Sequence, residues 1–252
     1  MPSPAASPIS AHSHFRPGLL LLSLLACAPF LACAESPAVA EPPSPRTILE
    51  KWIQESKTVR SVAAEFDQVR HLSSVARPLI KAGKLWLEKP DRLRWQVGDP
   101  PQILAVRDTD GRFIYADAAG KRARIWSREA LLHDDEQGRG QGLTWLSQSF
   151  AGSVADFEKR FELQGVDPVP SQPELWTLRL TLRDHQAAMF VTGVTFTVST
   201  KDGSLRNFTL QMRDGSRFET RIKSYQLNGP IDSALFHLDT TGYKIEDMGK
   251  GR

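Results

Sequence analysis

From Val59 onward apolar and polar residues alternate with a period of two, interrupted once. The clearest example is the stretch Gly83 to Trp95. Leu85 and Leu87 fall on one face of a strand and Lys84, Trp86 and Glu88 on the other; beyond Lys89-Pro90, Leu93, Trp95 and Val97 oppose Arg92, Arg94 and Gln96. A period of two gives one apolar and one wet face. Proline withholds a ladder donor, so Pro90 marks a corner or an edge. Further alternating runs cover Ile103 to Val106, Phe113 to Tyr115, Arg122 to Trp126, Leu175 to Leu182, Val191 to Val198, Leu205 to Met212, Arg217 to Ile222 and Ala234 to His237. Asp110-Gly111, Ala119-Gly120, Asp202-Gly203, Asp214-Gly215 and Asn228-Gly229 separate them as hairpin turns. No helical stretch between runs is long enough for a parallel crossover. The pattern predicts a long antiparallel meander, which must curl or be covered on its apolar face.

Ahead of this region the period is helical. Ile48, Leu49, Trp52 and Ile53 share one face, giving an amphipathic helix to about Lys57. It starts at Ser44-Pro45, or at a capping box on Thr47, and its apolar face is expected to plug the open side of the sheet. The interruption lies between Ser127 and Arg160. Glu129 to Leu132 reads as a helical turn, His133 to Gly142 as an acidic glycine-rich loop, and Leu143, Trp145, Leu146, Phe150, Val154, Phe157 and Phe161 as one or two short helices. Glycines on both sides suit a hinged lid; a fixed cap over a barrel end fits equally.

Composition adds a destination. Arg16 followed by Gly18 to Ala26 and then Ala32-Cys33-Ala34 reads as a secretory leader, residues 1–34, cleaved before Glu35. Leu24-Leu25-Ala26-Cys27 also reads as a lipobox that would lipidate Cys27. The apolar residues after Cys27 favour soluble export, and the mass of the mature N-terminus separates the two. Both cysteines lie in this leader, so thiol catalysis in the mature chain is excluded. Residues 35–45 form a proline-rich tether, and 46–252 are expected to form a single domain. The net charge is +3 with no block of lysine and arginine, which argues against a nucleic-acid partner.

Candidate chemistry is sparse. There is no G-x-S-x-G elbow, P-loop or H-E-x-x-H. His133-Asp134-Asp135-Glu136 reads as a solvated tip in preference to a cation site, and Asp108-x-Asp110-Gly111 as a turn without the later ligands of a calcium loop. His71, His185 and His237 are scattered. Neither catalysis nor a cofactor or metal is expected.

Gly83-Lys84-Leu85-Trp86-Leu87-Glu88-Lys89-Pro90, followed by Leu93 and Trp95, resembles the signature of the periplasmic outer-membrane lipoprotein carrier family, LolA. Ser61 to Gln68 is similar to that family's leading strand. Lys201 to Met248 is similar to its closing meander, through Tyr225 to Gly229, Phe236 and Gly242 to Asp247. The resemblance implies an unclosed β-barrel with a helical lid, which takes the acyl chains of lipoproteins and shuttles them from the inner to the outer membrane. It implies as partners an inner-membrane lipoprotein-releasing ABC transporter and an outer-membrane lipoprotein receptor, with the carrier a periplasmic monomer. Carried over by position, Leu85, Leu87, Leu93 and Trp95 line the acyl cavity, Leu143, Leu146 and Phe150 belong to cavity or lid, and Lys89 stands where the family has a lid-latching arginine. Lysine keeps the charge without the planar fork. Leu93 replaces a common phenylalanine, and Thr240-Thr241-Gly242 lacks the usual prolines, marking a divergent branch. Two alternatives accompany this reading: an outer-membrane receptor of the same fold lipidated at Cys27, and an envelope lipid or glycan hydrolase, which would need charged groups converging on the concave face.

Overall fold

The computed structural model describes residues 43–131 and 152–248. The leader, Cys27, most of the tether, the His133 to Glu136 cluster and Leu143, Leu146 and Phe150 lie outside the described residues.

The chain opens with helix α1, Pro45–Ser56. Ser44 is its N-cap, accepting from the Thr47 backbone N–H, with Pro45 in the first turn where its missing N–H costs nothing. Of the two predicted starts, this is the Ser44-Pro45 one. The strands are β1 Ser61–His71, β2 Leu79–Glu88, β3 Arg92–Val97, β4 Ile103–Arg107, β5 Phe113–Asp117, β6 Arg122–Trp126, β7 Phe161–Val169, β8 Gln172–Leu182, β9 Val191–Ser199, β10 Leu205–Met212, β11 Arg217–Leu227 and β12 Lys244–Asp247. Short helices interrupt them, α2 Val154–Glu158 and α3 His185–Ala188, with a helical turn at residues 128–131, and a 3-10 turn spans Ser233–Phe236.

All twelve strands form one sheet in the order β12-β6-β5-β4-β3-β2-β1-β11-β10-β9-β8-β7. It is two meanders, β1 to β6 and β7 to β11, joined along a seam where β1 pairs with β11. The sheet is not closed into a barrel: β7 and β12 stand at its two ends. The predicted mainly-β, unclosed architecture is therefore the observed one. A bulge at Glu65/Phe66 in the seam, with further register shifts along β7 and β10, marks where the pairing bends.

Local expectations differ at five places. Ala234 to His237 is not a strand; the Asp232 carboxylate accepts from Ala234 N–H and starts a 3-10 turn that buries Phe236 against the outer side of β3. Phe161 does not end a helix but opens β7, whose alternation Gly165 and Pro168 obscure. β12 runs parallel to β6, the one departure from antiparallel pairing among the described residues. Asn228-Gly229 is an exit from the sheet, not a hairpin, with the Asn228 side chain accepting from Arg60 N–H. At Ala119-Gly120 the left-handed residue is Lys121, not the glycine.

The concave face carries the main core. Helix α1 lies in it, burying Ile48, Leu49, Trp52 and Ile53 as the helical period requires. Trp52 meets Phe157 of α2 and Phe196 of β9 edge-on, at centroid distances of 5.9 and 6.3 Å. A second cluster, Leu104, Ile114, Ala116 and Ala123, sits on the opposite face under Leu238 and Tyr243, so the C-terminal segment covers β4 to β6 from outside. Strand β4 is buried on both faces, which is why Ile103 to Val106 reads as a continuous apolar run.

Candidate functional site

The predicted phase of β2 and β3 holds residue by residue. Leu87 pairs with Leu93, Leu85 with Trp95 and Gly83 with Val97, and all six face inward. Gly83 is there because of Phe66: a Cβ would come within 2.3 Å of the Phe66 ring, which stacks at 4.1 Å from Trp95. Trp95 of that pair lines an apolar cavity. Val62 and Ala64 of β1, Leu85 and Leu87 of β2, and Leu93 and Trp95 of β3 form one wall; Leu205 and Phe208 of β10 with Ile222, Tyr225 and Leu227 of β11 form the other. The four predicted cavity residues of β2 and β3 thus lie together. The β10–β11 wall was absent from the predicted set, although its alternation was legible, because only the β1–β11 seam brings it opposite β2 and β3.

No Asp, Glu, His, Lys or Arg is among the lining residues. Asp202 and Arg206 adjoin the lining through Tyr225 and are occupied. The Asp202 carboxylate accepts from the Tyr225 hydroxyl at 3.0 Å and from Arg206 at 2.9 Å, and the Arg206 guanidinium lies over the Tyr225 ring. Burial pushes the Asp202 carboxyl up, but hydrogen bonds from Ser204 and Ser199 and the Arg206 charge outweigh it and hold the group below the usual carboxylate range. Among the described residues no cluster of metal-ligating side chains is present.

The space inside is about 30 Å³, room for roughly one water. Helix α1 closes it. The Trp52 indole N–H donates to the Gly203 carbonyl at 3.1 Å, and Gly203, at φ +70°, lies so close under the helix that a Cβ would meet the Ser56 backbone N at 2.4 Å. Sequence reading marked Asp202-Gly203 only as a turn; its use as a seat for α1 is a tertiary contact.

Lys89 also belongs to this closure. Its ammonium donates to the Ser56 carbonyl at 2.8 Å, at the C-terminal end of α1. A cation there joins the Val59 N–H as a second donor to that carbonyl and meets the negative end of the helix dipole. Burial holds the lysine below its ordinary pKa. Leu143 to Phe150, the segment it was expected to latch, is outside the described residues; the element it fastens among the described ones is α1. Lys89→Met should lower stability by about 1 kcal/mol, measured by denaturant unfolding. A change below about 0.3 kcal/mol would show that the contact contributes nothing.

The family described as outer membrane lipoprotein carrier protein LolA matches residues 57–239. An outer-membrane lipoprotein carrier protein of Alkalilimnicola ehrlichii is 26% identical over 225 residues, covering 88% of this chain and 92% of that one. Among solved structures, a LolA superfamily protein from Nitrosomonas europaea aligns at TM-score 0.38 and 10% identity, covering 77% of this chain and 97% of its own. A putative outer membrane lipoprotein-sorting protein domain from Vibrio parahaemolyticus aligns at TM-score 0.41 and 10% identity, covering 75% and 94%. With the family matched over most of its length, the chain belongs to the LolA family of outer membrane lipoprotein carrier proteins.

Proposed function

We propose that this chain is a periplasmic carrier that takes the acyl chains of lipoproteins, or a related lipid, into the cavity between β1–β3 and β10–β11 and shuttles them from the inner to the outer membrane. On this reading an inner-membrane lipoprotein-releasing ABC transporter loads it and an outer-membrane receptor unloads it. The observation that carries the reading is the cavity lining, apolar on both walls and free of charged side chains. It favours a lipidic ligand over the envelope hydrolase, which would need charged groups there. The relative named as an outer-membrane lipoprotein carrier protein supports the same class of cargo.

The size of the cavity adds a mechanism. About 30 Å³ does not admit an acyl chain, so α1 gives way as cargo enters. An acyl chain of about fifteen methylenes gains roughly 12 kcal/mol on burial at ~0.8 kcal/mol each. The four apolar side chains of α1 gain roughly 6–12 kcal/mol at ~1.5–3 kcal/mol each in the core cluster that adjoins the cavity. Helix and cargo are competitors of similar strength, and a carrier that must also release its load needs that near-balance.

The test is retention of an acylated lipoprotein beside its non-acylated form, in which the lipid-bearing cysteine is replaced by serine. The acylated form should be retained at least tenfold better, since the burial advantage of even a few methylenes exceeds about 1.4 kcal/mol. Equal retention of the two would reject the acyl chain as the recognised feature.

A further inference from the structure

We infer that the end of the sheet formed by three neighbouring hairpin tips is a docking surface for an anionic lipid bilayer. The sheet order sets β2-β1, β11-β10 and β9-β8 side by side, and their three turns emerge at one end. His71 pairs with Arg217 and Met212 with Val191, which fixes the common end. The tips are also tied together. Arg213 donates from its backbone to the Phe190 carbonyl and from its side chain to the carbonyls of Met189 and Ala188, and Ser73 N–H donates to the Ser216 hydroxyl.

This rim gathers exposed apolar side chains. Of the seven large hydrophobic residues exposed among the described ones, five are here: Val75, Leu79, Ile80, Met189 and Phe190, with Phe190 63% exposed. None of them lines the cavity, and nothing in the core explains them. Single exposed apolar residues are ordinary, whereas five on one rim are a patch.

The charge is equally uneven. Residues 70–81, 183–190 and 213–217 hold six lysines and arginines against two aspartates, a surplus of four, larger than the +3 of the whole chain. Both aspartates are turned to their own loops, Asp184 accepting from Ala187 N–H and Asp214 from Ser216 N–H. Arg77 and Lys81 flank the first apolar group, and Arg183 and Arg213 the second. Apolar tips ringed by cations match a bilayer interface, where acyl chains lie beneath anionic headgroups. Separate loop apices offer no broad flat surface to a folded protein. The rim lies at the far end of the sheet from the β2–β3 turn and Lys89, so it does not depend on the carrier reading.

The test is sedimentation with protein-free vesicles, using the form of the protein isolated from cells. Vesicles of phosphatidylethanolamine with about 30% phosphatidylglycerol should pull it down at least fivefold more than phosphatidylcholine vesicles, and about 0.5 M NaCl should abolish the difference. Met189→Ser with Phe190→Ser should reduce the bound fraction at least threefold, and Arg77→Glu with Arg183→Glu should do the same, since apolar insertion and headgroup attraction both contribute. All four sites are exposed, and circular dichroism confirms the fold of each variant. Ile245→Ser, at an exposed apolar residue on the edge strand β12, should leave vesicle binding intact, which separates the rim from exposed apolar side chains in general. Three results overturn the proposal: no preference for anionic vesicles, rim variants that bind like the parent, or binding lost in Ile245→Ser while the rim variants retain it. Retention on native membranes but not on protein-free vesicles also overturns it and assigns the rim to a protein partner.

Discussion

Trp52→Ala should lower stability by about 3–5 kcal/mol, the range for removing a large buried aromatic side chain. In a domain of this size that is a loss of roughly 10 °C in Tm. Trp52 is fully buried and does three things together. It fills the space between α1 and the aromatic cluster of Phe157, Phe161 and Phe196, it meets two of those rings edge-on, and it donates the one hydrogen bond from helix side chain to the Gly203 turn. The effect should be local as well as global. Amides of α1 should exchange much faster than those of β8 and β9, because the helix loses its main anchor while the strands keep their ladders. A helix that is easier to lift should also load acyl cargo faster. Uniform loss of protection across sheet and helix, with no change in loading, would show that Trp52 supports the core without holding the cavity shut.

Leu93→Glu should reduce retention of acylated lipoprotein by at least an order of magnitude, because a carboxylate in an apolar lining strips each neighbouring acyl chain of its dry contact. Leu93 is 1% exposed and pairs with Leu87 across from the β10–β11 wall. With space for about one water inside, the charge cannot be hydrated without opening the cavity, and the fold should lose about 3–5 kcal/mol at neutral pH. The sign with pH is fixed. Burial raises the pKa of the new carboxyl above its unfolded value, so the penalty is full above the folded pKa and eases as the pH falls through it and the group becomes neutral. Leu93→Met keeps volume and polarity and should bind like the parent within about twofold. If Leu93→Glu retains cargo like the parent, the acyl chains are held elsewhere.

The inward phase of β2 and β3 was legible because two short alternating runs flank one proline, and a shift of one residue would have put Trp95 in water and Arg94 in the core. Helix α1 was legible for the same kind of reason: four apolar residues at helical spacing need a partner. What could not be read was which wall faces which. The pairing of β1 with β11 joins segments from opposite ends of the domain, and no local pattern specifies it. Ala234 to His237 failed because Leu235 and Phe236 are apolar neighbours in a run too short to distinguish a strand from a turn. Phe161 failed because Gly165 and Pro168 break the alternation that would have announced β7. The role of Lys89 was half legible: its charge and position beside Pro90 were evident, but its acceptor, a helix carbonyl, is a matter of tertiary approach.

The seam between β1 and β11 also dictates an order of assembly. Each meander is built from neighbours in sequence and can form by local zipping, whereas the seam must close a loop spanning nearly the whole domain before any of its contacts are made. Helix α1 rests on Phe196 of β9 and Gly203, residues synthesised long after it. The first described element of the chain is therefore among the last to find its place, and until it does the apolar trough stands open, the state that the proposed acyl cargo would need.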